Sequence, residues 1–224
     1  MPTAGARTIT VQYSGDITNT PASFNTPITV NPKTNATIGW RPGFRPPAWI
    51  VQGQSFNVQA LVTGTAVTGT VTFLDGSTTL ATVPVLSDGR AVTSLAMPVT
   101  GARSIVAQYS GDGSNNPASF STPVTVNPKT NPANAWGAGF GPPASTVVGK
   151  TFTVQATVTG TSATGSVAFM DGSTTLGTGT LGSNGIAGAT IAMPVSGSRT
   201  LTAQYSGDAL NNPAPLNTSA ELIA

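Results

Sequence analysis

Two short clusters in this 224-residue chain carry oxygen groups of the kind a hard cation asks for: Asp112, Asn115 and Asn116, and, 96 positions on, Asp208, Asn211 and Asn212. Calcium takes about six to eight oxygen ligands and favours several carboxylates. One carboxylate per cluster is thin, and the matching stretch near the N-terminus has Asp16 and Asn19 but Thr20 in the last place. The same residues suit a turn. In "YSGD", Asp112 would accept backbone N–H groups in a turn that Gly111 permits, while Tyr109 buries its ring and finds a backbone partner for its hydroxyl. The turn is the stronger reading, so no metal or other cofactor is expected.

Aromatic rings offer a second kind of chemistry. Trp40, Phe44 and Trp49, with Trp136 and Phe140 one repeat further on, are the main aromatic concentration in the sequence. Exposed, they would stack on sugar rings or fill a partner's pocket, with Arg41 and Arg45 as neighbouring donors. Buried, they would cover an open end of the fold or a seam between units, where Pro-rich backbone cannot pair as a strand. The later copy has Gly137 and Gly141 in place of the two arginines. That favours packing over a charge-dependent site.

Catalytic schemes find little support. The chain has neither His nor Cys, which removes the usual general base near neutral pH, the thiol nucleophile and the commonest metal ligands together. Its many serines and threonines would need Lys or a carboxylate as base. Asp75 and Asp88 form an imaginable glycosidase pair, but both fall in predicted turns and the second copy carries Asn184 at the latter position. A spontaneous Lys–Asn isopeptide bond needs a core lysine, whereas Lys33 and Lys129 fall in linkers and Lys150 aligns with Gln54.

What must position these residues is legible in the repeat. Tyr13, Tyr109 and Tyr205 are 96 apart, as are Asp16, Asp112 and Asp208, and about half of residues 33–128 recur identically in 129–224. Residues 1–32 match only the last third of a unit. They read as the tail of a unit whose first two thirds lie outside this chain, as in a truncated fragment or a start inside a longer array, with Met1 aligned to the interior Met97 and Met193. The predicted organisation is therefore 1–32 as partial strands, 33–128 as one repeat and 129–224 as another. The partial copy offers two strands without the sheet that should cover them, a marginal arrangement in water.

Within a unit the hydrophobic period is two. Phe56, Val58, Ala60 and Val62 alternate with polar neighbours; Ile105, Ala107 and Tyr109 do the same, as do Ile9, Val11 and Tyr13. Val71 and Phe73 lead to Asp75–Gly76, read as the centre of a tight hairpin, and further turns are predicted at "SDGR" and "TGAR". Charged residues are 7% of the chain, with nine basic against seven acidic and no cluster of either. A nucleic-acid surface is not expected from so sparse a distribution. No apolar run is long enough to span a bilayer as a helix. Seven or so short strands per unit, with 26 Gly and 18 Pro as punctuation, predict an all-β chain of tandem immunoglobulin-like antiparallel β-sandwiches, with a barrel as the competing closure.

"TGTVTFLDGSTTL" followed by "ARSIVAQYSGD" resembles the bacterial immunoglobulin-like (Big) repeat domains, and both blocks recur in the second unit. The first third of each unit, "KTNATIGWRPGFRPPAWIVQG" in the earlier one, departs from the family pattern. The resemblance implies non-catalytic modules of a secreted or cell-surface bacterial protein, used as stalk or spacer and in adhesion. It implies neighbouring Ig-like repeats of a longer parent chain as partners. The alternative is a carbohydrate- or receptor-binding module that meets a cell-surface glycan or protein receptor through Trp40 to Trp49.

Overall fold

The computed structural model describes residues 4–223, so Met1 and its alignment with Met97 lie outside them. No described residue is helical. A chain rich in Thr and Val and broken every few residues by Gly or Pro has little reason to be otherwise. The first two strands, β1 (Gly5–Tyr13) and β2 (Ala22–Val30), pair antiparallel with Gly5 opposite Val30 and Tyr13 opposite Ala22. Among the described residues they form a two-stranded sheet of their own.

The first complete copy follows with β3 (Thr34–Asn35), β4 (Thr37–Trp40), β5 (Trp49–Val51), β6 (Ser55–Thr63), β7 (Thr70–Asp75), β8 (Thr78–Pro84), β9 (Arg90–Ala96), β10 (Gly101–Tyr109), β11 (Asn115–Asn116) and β12 (Ala118–Asn127). The second copy has β13 (Ala133–Trp136), β14 (Ser145–Val147), β15 (Thr151–Thr159), β16 (Ser166–Asp171), β17 (Thr174–Thr180), β18 (Ile186–Ala192), β19 (Gly197–Tyr205) and β20 (Ala214–Ile223). In the first copy one sheet runs β5-β12-β10-β7-β8 and the other β4-β6-β9. The second repeats this order as β14-β20-β19-β16-β17 and β13-β15-β18. Each copy is an Ig-like sandwich of two separate sheets, not a barrel.

The core is what the period of two predicts. Val58, Ala60 and Val62 of β6, Val71 and Phe73 of β7, and Ile105, Ala107 and Tyr109 of β10 are all at most 2% exposed. Complete burial of a side chain such as Phe73 contributes about 1.5–3 kcal/mol. In the second copy Val154, Ala156, Val167, Phe169, Leu201 and Tyr205 belong to one buried cluster, with Trp136 and Leu216 packed against it. In the partial copy no second sheet covers the same pattern among the described residues, and Ile9, Val11 and Tyr13 are 52%, 48% and 46% exposed.

Three local expectations are corrected. The β7–β8 hairpin turns on Gly76–Ser77 rather than Asp75–Gly76, with Asp75 paired opposite Thr78 as the last strand residue. Gly76 supplies the positive φ of 61° that the first central residue of such a turn requires, and Asp75 is held in the sheet by an ion pair described below. At "TGAR" the strand already begins at Gly101, so the turn lies over 97–100.

The Pro-rich first third also pairs as strand, at both of its ends. Strand β4 runs antiparallel to β6, then Arg41–Phe44 loops out, and β5 rejoins parallel to β12 in the opposite sheet. Trp40 stands opposite Ala60, the Arg41 N–H donates to Gln59 O at 2.8 Å and the Gln59 N–H donates to Phe44 O at 3.0 Å. Proline has no N–H to offer a ladder. Prolines 42, 46 and 47 fall in the passage between sheets, where none is asked for.

Candidate functional site

The Asp and Asn clusters sit where β10 and β19 end. Leaving β10, the chain turns through Ser110–Gly111 and closes on Asp112, whose carboxylate is surrounded by donors. Oδ2 accepts the Thr68 N–H at 2.8 Å and the Tyr109 hydroxyl at 2.7 Å; Oδ1 accepts the N–H groups of Ser114 at 2.7 Å and Asn115 at 2.8 Å. The Asn115 amide adds a bond of 2.9 Å to each oxygen. These donors, the Thr68 N–H first and the Tyr109 hydroxyl next, hold the Asp112 carboxyl well below the usual range. Burial, and then donation to Asp112, push the Tyr109 phenol up to about 12. The Tyr109 hydroxyl thus meets a carboxylate beside the backbone partner expected of it, which is Thr68. Tyr205 bonds to both kinds of group, Thr164 O at 2.8 Å and Asp208 Oδ2 at 3.1 Å.

Asn115 is fully buried and ties three segments together. Its Oδ1 accepts the Thr65 N–H at 2.9 Å and the Thr34 hydroxyl at 3.0 Å, and its Nδ2 donates to Thr65 O at 2.8 Å. Gly64 makes room for it: a Cβ there would lie 2.4 Å from Asn115 Oδ1. Asn211 makes the matching bonds to Thr161 N–H and O, both at 2.9 Å.

The structure therefore brings Asp112 together with Asn115, and Asp208 with Asn211, but turns Asn116 and Asn212 away. Asn116 Nδ2 donates to Asn35 Oδ1 at 2.9 Å, and Asn212 Nδ2 to Asn131 Oδ1 at 2.7 Å. Among the described residues no three acidic side chains gather as a metal set. The arrangement is a hydrogen-bonded corner whose anion is neutralised by N–H and O–H groups. Its local half forms even in the partial copy, where Asp16 accepts the Tyr13 hydroxyl at 2.6 Å and the N–H groups of Thr18 and Asn19, both at 2.8 Å.

The sequence reading missed what the linker lysines do. Lys33 Nζ donates to the Asp112 carbonyl, and the Thr34 N–H to Ser114 O at 2.9 Å. In the second copy Lys129 Nζ donates to Asp208 O at 2.5 Å and the Thr130 N–H to Leu210 O at 2.8 Å. The signal was present in the sequence: "KTN" precedes "NN" at the same distance in both copies. Lys150 is exposed.

The aromatic group is divided by the strand that changes sheets. Trp40, on β4, stacks on Phe73 with centroids 5.9 Å apart and planes 8° apart, meets Phe120 edge-on at 4.9 Å, and donates its indole N–H to Thr122 Oγ1 at 2.7 Å. Trp136 stacks on Phe169 at 6.0 Å. These two rings line the interior of their sandwiches. Phe44 lies under the Arg41 guanidinium at 5.2 Å, and Phe140 is 42% exposed. Trp49 sits on β5 in the other sheet and is 63% exposed, while Ile50 beside it points inward. The second copy has Ser145 at the position of Trp49.

The imagined carboxylate pair is also divided. Asp75 is 3% exposed and receives Arg103 Nε at 3.0 Å on both oxygens and Nη2 at 2.7 Å. Asp171 and Arg199 repeat the pair across β16 and β19, with Nη2 to Oδ2 at 2.6 Å. Asp88 instead pairs with Arg90 in its own turn.

The sequence profile described as "Bacterial Ig-like domain (group 3)" matches residues 45–127 and 141–221, beginning in each copy just after the loop that follows Trp40 or Trp136. No curated protein matches the chain in sequence. Among solved structures, the fibronectin(III)-like modules of Clostridium thermocellum CbhA are similar at 16% identity over 83% of this chain and 94% of that one, with a TM-score of 0.38. A 1.5-MDa bacterial ice-binding adhesin, described for host cell surface retention, is similar at 16% identity over 98% of this chain and 74% of that one, with a TM-score of 0.44. The titin domains Z1Z2 in complex with telethonin are similar at 20% identity over 86% and 98%, with a TM-score of 0.32.

Proposed function

The chain belongs to the bacterial Ig-like domain (group 3) family, and from that membership we propose that it serves as non-catalytic spacer modules of a secreted or surface-attached bacterial protein, holding other parts of that protein apart. The observation that carries this reading is the path of the backbone through one module. The chain enters beside Asp112–Asn116, at the start of β12, and leaves at the far end of β12. Ten residues of strand separate entry from exit by roughly 30 Å, so each module lengthens its chain by about its own long dimension. The polar groups best suited to chemistry, Asp75, Asp112 and Asn115 with their second-copy equivalents, are spent on internal bonds. That supports a mechanical role over a reactive one.

Single-molecule extension tests it. Two unfolding events of similar size are expected, each releasing roughly 300 Å of contour length as about 96 residues go from folded to extended. A chain that extends without resisting force, or a purified preparation that hydrolyses glycan or peptide, overturns the reading.

One observation favours a second reading. Trp49 presents most of its ring outside the sandwich, as a contact for a cell-surface glycan or a protein receptor requires.

A further inference from the structure

The turn between β14 and β15 carries a basic residue that nothing secures. Of the nine basic residues, all but Arg7 lie in the two complete copies. Arg41 and Arg45 each precede a proline, so the nitrogen that follows them belongs to a ring. Arg103 and Arg199 lie inside strands and hold buried carboxylates. Arg90 opens β9, pairs with Asp88 and is followed by the fully buried Ala91. Lys33 and Lys129 bond through Nζ to Asp112 O and Asp208 O, and the N–H of the next residue is held too, by Ser114 O at 2.9 Å and Leu210 O at 2.8 Å. Lys150 is exposed, and among the described residues its ammonium meets no acceptor. The first copy has Gln54 in its place.

The backbone on both sides of Lys150 is already laid out as a protease binds it. A substrate enters a serine protease extended and pairs along one edge, the geometry of strand addition. Strand β14, which leads into the turn, is the edge of its sheet and pairs only with β20. Beyond the turn, Thr151–Val154 pair with β18 alone, because β13 reaches only Ala156 and the loop after it only Gln155. Residues 147–151 are all exposed. The ladder that holds β14 runs only from Ser145–Glu221 to Val147–Ile223, so opening this segment disturbs little of the module.

We propose that the Lys150–Thr151 bond is a processing site for a serine protease that reads lysine through a carboxylate in its specificity pocket, and that the cut turns the second copy into a joint held by packing alone. The protease serine attacks the Lys150 carbonyl carbon, Thr151 leaves with its nitrogen protonated, and water then releases Lys150 as a carboxylate. One water is consumed per bond. The half that ends at Lys150 keeps β13 and β14, and the other keeps β15 to β20. They stay together at rest. Strand β13 remains laddered to β15 from Ala133–Thr159 to Trp136–Ala156, Asn134 Nδ2 donates to Ala214 O at 2.8 Å, and Trp136 stacks on Phe169 at 6.0 Å. No continuous chain of peptide bonds then carries load across the copy. Its use as a release point under tension rests on the spacer reading; the cut itself does not.

Brief trypsin treatment of the full 224-residue chain tests this. The first cut within residues 33–224 is expected before Thr151, read by N-terminal sequencing and fragment mass. Lys150→Gln is expected to slow loss of intact 33–224 at least roughly tenfold, and Gln54→Lys to admit a matching cut before Ser55. A chain uncut within 33–224, a first cut at Lys33, Arg90 or Lys129, or a Gln54→Lys chain that stays whole before Ser55 overturns the site. The cut chain is expected to elute as one species and, pulled across residues 33–224, to part after at most one unfolding event. Halves that separate without load overturn the joint. Uncut chain is pulled alongside: if it shows no unfolding events the spacer reading fails, while the digestion still decides the site.

Discussion

Asn115 pairs its side-chain amide with both backbone groups of Thr65, accepting the N–H at 2.9 Å and donating to the carbonyl at 2.8 Å. A buried side chain thereby does for the 64–68 loop what a neighbouring strand would do, and the same amide reaches Asp112 and the Thr34 hydroxyl. One residue closes the end of the sandwich at which the chain enters.

Removing that amide should be costly. Asn115→Ala removes both bonds to the backbone of Thr65, an exposed residue whose groups can turn to water, at about 0.5–1.5 kcal/mol for each bond lost. Asn211→Ala should do the same in the second copy. Denaturant unfolding should show the midpoint of one module falling while the other's is unchanged. Gly64→Ala, which drives a methyl group into Asn115, should mimic the Asn115 substitution. Equal midpoints in wild type and Asn115→Ala would contradict the corner's role.

Acid and alkali should act on the same corner from opposite sides. Asp112 and Asp208 have folded pKa values below the ordinary one. For Asp208, burial opposes ionisation but is outweighed by the N–H groups of Thr164, Leu210 and Asn211. Their contribution is complete above the unfolded carboxylate pKa of about 4 and is lost as pH falls below it. The phenols of Tyr109 and Tyr205 are raised, so their contribution is complete below about pH 10 and is lost as pH climbs through about 12. Melting temperature against pH should be flat between these limits. Asp112→Asn should weaken the acid-side fall, and Tyr109→Phe the alkaline one.

The two members of the Asp75–Arg103 pair should differ in what their loss costs. Arg103→Ala leaves an almost fully buried carboxylate without its partner, whereas Asp75→Ala leaves a guanidinium that is partly exposed and can turn to water. The first substitution is expected to cost more stability than the second, read from chemical unfolding. The reverse order would mean that Asp75 is solvated.

Trp40 and Trp49 should separate cleanly. Trp40→Ala removes stacking on Phe73 and the bond to Thr122 and should cost about 3 kcal/mol or more. Trp49→Ala should change stability by less than about 0.5 kcal/mol. Trp49→Phe should remove the red-shifted part of the tryptophan emission. A glycan panel that shifts this red component in the wild type, and does nothing to Trp49→Phe, would favour the adhesive reading over the spacer.

How much of this was legible in the sequence depends on the range of the forces involved. The alternation of Val58, Ala60 and Val62 is a local statement about one face of one strand, and copies 96 residues apart state it again, so sheets and core follow. The Asp112 turn was legible for the same reason, because its Ser114 and Asn115 donors are two and three residues away. The Thr68 N–H that Asp112 accepts and the Thr65 contact of Asn115 depend on which loops a sandwich brings to one end, and no local pattern carries that. Trp40 and Trp49 looked like one aromatic cluster because they are near in sequence. The passage of the chain from one sheet to the other between them is a property of the closed fold. Asp75 was misplaced by one residue because an Asp-Gly pair suits a turn centre, and the competing ion pair comes from a strand 28 positions away.

The Lys33 clamp also bears on how such proteins grow. Lys33, Thr34 and Asn35 fasten to the module that follows them in the chain, and Lys129 to Asn131 do likewise. A stretch of gene encoding Lys33 to Pro128 therefore carries its own fastening, and in-frame duplication at that boundary adds a finished part without a new joint having to evolve. Because Lys-Thr-Asn stands identically at 33–35 and 129–131, an in-register exchange restores the fastening wherever it breaks, whereas one out of register loses it, so viable length variants should preserve the step of 96 codons.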